Sequence, residues 1–219
     1  MKKPREAFFQ GYPDFKGSFR GVSLIELMIC IVAISIMILS FYGLETYSHK
    51  QLIGADRRSK VQNSLAYCME HMSKYVQQAS GNASLGYPAI ELYPSASSTK
   101  TGFQVRVDLN TPHTASFDDD ALIYYTLSGN TLSVGCTGTC GSFTGEALSS
   151  KVVANFSNSV MPVDPTDGFY VETDYLGTTV DIGLVGRYYP DQESTMETRQ
   201  SNPQVAMRAK LICNNSSIN

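Results

Sequence analysis

The stretch RGVSLIELMICIVAISIMILSFYG, residues 20–43, decides how the chain is read. From Gly21 to Leu44 its only charge is Glu26. The run reaches the roughly 20 residues that a helix needs to cross a hydrocarbon core of about 30 Å. A secretory signal has a shorter apolar region followed by a small-residue cleavage site; here the run continues into SFYGLETYSHKQ, residues 40–51, which offers none. A plain single-span anchor accounts for everything except Glu26. A carboxylate within a span costs about 2.5 to 3.5 kcal/mol at the helix centre and less near an end. The charge therefore calls for a partner.

Composition bounds the rest. At 219 residues and 42% hydrophobic content the chain has room for one ordinary domain with an appended segment. The balance of 17 Lys+Arg against 20 Asp+Glu argues against a nucleic-acid interface, where a clustered basic stripe is expected. Residues 1–21 hold five cations, Lys2, Lys3, Arg5, Lys16 and Arg20, against Glu6 and Asp14. Without them the net charge moves from −3 to −6. With these cations ahead of the span, the positive-inside rule places the N-terminus in the cytoplasm and residues beyond about 45 across the membrane. In a bacterium that is the periplasm.

The dipeptide RG followed by VSLIE, residues 20–26, resembles the class III signal of type IV prepilins and pseudopilins. The resemblance implies a leader peptide at 1–21, cleavage by a prepilin peptidase between Gly21 and Val22, N-methylation of Val22, and an assembly role for Glu26. Four residues of helix separate Val22 from Glu26 by about 6 Å. The carboxylate can therefore neutralise a terminal ammonium, its own or that of a neighbouring subunit. Two departures from the common pattern are Val22, where Phe is usual, and the length of the leader. The first points away from a major subunit.

Past the span, Val61, Leu65, Cys68, Met69, Met72, Val76 and Ala79 recur at spacings of three and four, with Arg57, Arg58, Lys60, Glu70 and Lys74 on other faces. One helix from 22 to about 79 is expected, roughly 87 Å long, its first half (22–44) in the membrane and its second (45–80) outside, with SGN at 80–82 as a stop. From 81 to 219 the composition turns to Ser, Thr, Gly and Tyr with strand-like alternation. FQVRVDL (103–109) reads as a strand, and ALIYYTL with TLSVGC reads as a hairpin around SGN at 128–130. KVVANFSNSV, GFYVETDY, TTVDIGLVGRYY and QVAMRAKLIC follow as further strands. The expected fold is α+β and pilin-like: a long N-terminal helix packed on a mostly antiparallel sheet.

The order of MEHMSKYVQQASGN, IYYTLSGNTL, TTVDIGLV and VAMRAKLIC is similar to that of W-type minor pilins and J-type minor pseudopilins. That resemblance implies a minor type IV pilin priming filament assembly, or alternatively a minor pseudopilin of a type II secretion system. Its partners are then the prepilin peptidase, other pilin or pseudopilin subunits and the inner-membrane assembly platform, with no cofactor. A third reading, a membrane-anchored module for DNA or a surface ligand, is disfavoured for DNA by the acidic chain.

Of five cysteines, Cys30 lies in the apolar run as a small filler. The other four fall where disulfides persist and allow three pairings. Cys136 and Cys140 in CTGTC close a tight loop, which leaves Cys68 and Cys213 to staple the chain end to the helix, worth about 4 to 5 kcal/mol in the chain-entropy reading. DDD (118–120) and DPTDG (164–168) offer oxygens for calcium but lack EF-hand spacing and match ordinary turn chemistry. His49, His71 and His113 neighbour no nucleophile or metalloprotease motif and read as surface or capping residues. No enzyme and no metal site is expected.

Overall fold

A computed structural model describes residues 21–110, 116–157, 168–174, 177–213 and the backbone of 215–216. The leader cations, His113, the 158–160 end of one expected strand, and Asp164 and Asp167 lie outside the described residues. The chain divides into two compact units, Met1–Tyr47 and Ser48–Asn219.

In the first unit the described residues beyond Ser23 are helical, the opening of α1 (Leu24–Gln78). No proline interrupts that helix, and its side chains from Leu24 to Tyr47 are all exposed.

In the second unit the rest of α1 carries the expected stripe: Val61, Leu65, Cys68, Met72 and Val76 are buried, and charged residues occupy the other faces. The stripe packs into one core with Phe103, Val105, Ile123 and Tyr125 of one sheet and Phe169, Val171, Ile182 and Leu184 of another. Both sets alternate along their strands, because successive strand residues point to opposite faces.

The first sheet is an antiparallel meander of five strands in chain order: β2 (Ile90–Tyr93), β3 (Gly102–Val107), β4 (Ala121–Ser128), β5 (Thr131–Gly138) and β6 (Glu146–Ser149). The expected hairpin is the β4–β5 pair. Its two-residue loop places Gly129 at φ +54°, a left-handed conformation that glycine enters without steric cost. The second sheet runs β10–β9–β8–β7, built from β7 (Phe156–Ser157), β8 (Phe169–Thr173), β9 (Thr179–Arg187) and β10 (Gln204–Ile212).

Among the described residues the expected single sheet is thus divided into two larger sheets. The second is mixed, since β7 pairs parallel to β8. Alternation reports which face a residue takes but not which strand lies beside it, so it could not separate them. The helix ends at Gln78, just before the expected stop at 80–82, and there Ser80–Gly81 forms a short parallel pair, β1, with β11 (Asn215–Ser216), tying that part of the chain beside the helix terminus.

Candidate functional site at the head of the helix

Ser23 sets the start of α1. Its carbonyl accepts the Leu27 N–H at 3.1 Å, the first helical bond, and its hydroxyl accepts the Glu26 N–H at 3.3 Å. Ser followed three residues later by Glu is the spacing of a capping box. This local role of Glu26 was missed in the sequence reading, although the signal lay in four adjacent letters. An anion in the first turn is favoured by the helix dipole by about 0.3 to 1 kcal/mol. That is below the several kcal/mol a carboxylate costs deep in a bilayer, so the cap alone leaves room for an external cation.

The rest of the apolar run hides its polar groups. Ser35, Ser40 and Thr46 donate their hydroxyls to the carbonyls of Ile31, Ile36 and Tyr42 at 2.8, 2.8 and 2.9 Å. With those hydroxyls satisfied inside the helix, its surface is apolar enough and long enough to cross a membrane. Cys30 is a free, exposed thiol within it. Gly21 and Val22 lie just before the first turn, both exposed.

Cys136 and Cys140 are joined, closing the loop at the end of β5. The second expected bridge is absent: Cys68 and Cys213 are free and buried. The reason is position along the helix. Cys213 follows β10, its N–H donating to the Thr178 carbonyl at 2.9 Å. Two residues further on, Asn215 pairs with Ser80 beyond the helix end. Cys68 lies ten residues before Gln78, about 15 Å along the axis, whereas a disulfide needs Cα atoms within about 7 Å. Burial pushes the Cys68 thiol up to about 12, against a lowering hydrogen bond with Ser149. The Cys213 thiol is likewise raised to about 12 by burial.

His71 is half-buried rather than a surface residue. Its Nδ1 lies 3.0 Å from the Tyr125 hydroxyl, and its ring meets those of Tyr67, Tyr75 and Tyr125. Burial holds its pKa below the ordinary value, with Glu146 pulling the other way and Lys74 lowering it further. The aspartates of 118–120 serve the turn: Asp118 accepts from Tyr87 at 2.7 Å and Asp119 from Asn110 at 3.0 Å. Asp120 is buried, and burial, with Asp108 and Asp119 nearby and Arg106 opposing, raises its carboxyl above the ordinary range. Among the described residues no three His, Cys, Asp or Glu side chains are grouped to hold a metal ion.

No protein-family model matches the chain, and no curated protein or solved structure does.

Proposed function

We propose that the chain is a minor type IV pilin, a structural subunit that enters or primes a pilus filament after prepilin peptidase removes residues 1–21. One observation carries the reading: the only charge of the exposed apolar run 21–44, Glu26, stands in the first turn of its helix, directly behind Gly21 and Val22.

Hydrolysis of the Gly21–Val22 peptide bond releases an ammonium at Val22 and leaves the apolar run on the product. A glycine before the scissile bond lets an extended backbone enter a tight site. The new cation lies about 6 Å along the chain from Glu26 if the helix extends to it, or meets the Glu26 of a neighbouring subunit. Either pairing offsets the desolvation of both charges once helices pack together. The chain then begins as a single-span protein of the bacterial inner membrane, N-terminus cytoplasmic, and passes into the filament. ATP-driven steps belong to its partners, the assembly platform among them.

Intact-mass and N-terminal analysis of membrane-extracted protein tests this. The expected product starts at Val22 and is N-methylated. A product that starts at Met1, or one cut after the apolar run, overturns the proposal.

A further inference from the structure

Thirteen residues of α1, Ser48 to Lys60, carry Lys50, Arg57, Arg58 and Lys60 against the single anion Asp56. The remainder of the second unit is acidic, with eight cations against fifteen anions from Val61 to Asn219. The loop between β9 and β10, residues 188–203, folds onto this stretch of helix. A Cβ at Gly54 would come within 3.1 Å of the Gln200 carbonyl oxygen, so the missing side chain sets how closely the loop approaches.

Two of the four helix cations already have partners. Arg57 donates to the Ser201 carbonyl at 2.6 Å and lies 5.0 and 5.5 Å from the ring centres of Tyr188 and Tyr189, pinning the loop. Lys60 pairs with Asp56 at 2.8 Å. Lys50, Arg58 and the loop's own Arg199 remain exposed and, among the described residues, in no ion pair. Gln200 borders two clefts: one of about 370 Å³ with Lys50, Arg57 and the anion Glu197 on its wall, the other of about 400 Å³ with Arg58 and Arg199 and no anion. Both fall in the size range of small-ligand sites.

Lys50 follows Leu44, the end of the apolar run, by six residues. Even a fully extended chain of that length spans no more than about 20 Å. Lys50 is therefore tethered near the headgroup layer of whatever bilayer holds the span, and Arg58 and Arg199 line the adjoining cleft that shares Gln200 with it. We propose that the Lys50–Arg58–Arg199 collar and its two clefts bind the phosphate groups of anionic phospholipids in that bilayer. An anionic lipid surface attracts adjacent Lys and Arg, and the attraction fades within a Debye length. The tether keeps the cations where that field acts, which a diffusing acidic protein does not require. The inference goes beyond the filament reading, needing only that the span sits in a membrane, and a chain that starts at Met1 leaves it standing.

The test uses the full chain in nanodiscs of phosphatidylcholine, with or without phosphatidylglycerol, and follows amide hydrogen exchange over residues 48–60 and 188–203. Phosphatidylglycerol should slow exchange there about fivefold or more at low salt. High salt should abolish the slowing, as should the triple variant Lys50→Gln, Arg58→Gln, Arg199→Gln. Lys210→Gln, an exposed charge on β10, should retain it. The three replaced side chains are exposed, and an unchanged unfolding midpoint in phosphatidylcholine discs checks that the variant still folds. Equal exchange in both lipids, or slowing that survives the triple variant, overturns the proposal. So does slowing by inorganic phosphate in phosphatidylcholine discs, which marks a small-anion site. Slowing by polyglutamate but not by phosphatidylglycerol also overturns it, since it marks an acidic protein partner.

Discussion

The hydroxyl of Ser23 accepts the backbone N–H of Glu26 at 3.3 Å, which fixes the one charge of the apolar run in the opening turn of its helix. The hydrogen bond uses the backbone of Glu26 and leaves the carboxylate exposed for another cation.

If that cation is the ammonium of a pilin subunit, Glu26→Ala removes one half of an ion pair that packing would bury. Breaking such a pair costs about 3 to 5 kcal/mol, so docking into the filament should weaken at least about a hundredfold. Membrane insertion, cleavage after Gly21 and the stability of the second unit should be unchanged. Immunoblots of sheared filaments and of membranes measure both sides, and normal incorporation of the variant would sink the assembly role.

Thiol titration decides the cysteines. Unfolded without reductant, the chain should show three reactive thiols, Cys30, Cys68 and Cys213. A single thiol would mean that the second pair is bridged after all. In the folded protein Cys68 and Cys213 should react slowly, because both are buried and their thiolates disfavoured. Replacing Cys136 and Cys140 by Ser opens a loop of sequence separation 4 and should cost about 2 kcal/mol.

His71 should make stability fall between neutral and mildly acidic pH. Its folded pKa is depressed, chiefly by burial, so below about 6.5 the unfolded chain takes up a proton that the folded one resists. The stability is full above that pH and declines as pH falls toward the lowered folded value. Asp174 and Asp181 also have lowered pKa values, but they titrate in the carboxylate range, at lower pH. Denaturant melts across this window should show the decline in the parent and a flatter profile in His71→Gln. An identical slope in both would assign the effect elsewhere.

Leu65 is fully buried, and its methyl carbons lie 3.0 and 3.2 Å from where a Cβ at Gly186 would stand. Leu65→Ala should cost about 2 to 5 kcal/mol in chemical denaturation of the second unit. Leu52→Ala, on the same helix but 68% exposed, should stay within about 0.5 kcal/mol. Comparable losses at the two positions would contradict the packing face of α1.

What the sequence determined by itself is local and periodic: the span, the helix from Leu24 to Gln78 with its buried stripe, the charge in its first turn, the β4–β5 hairpin and the tight Cys136–Cys140 loop. In each, the deciding residues are neighbours in the chain or repeat with the period of the element, so the letters carry the geometry. Short β2 and β6, four residues each, gave too few alternations to be seen. Only the tertiary structure decided that the long strands divide between two larger sheets, that Cys68 and Cys213 stand too far apart to bond, that His71 meets Tyr125, and that Arg57 reaches Ser201 across 144 residues. A side chain's period says which way it faces. What it faces is set by the packing of segments distant in sequence, which no local pattern records.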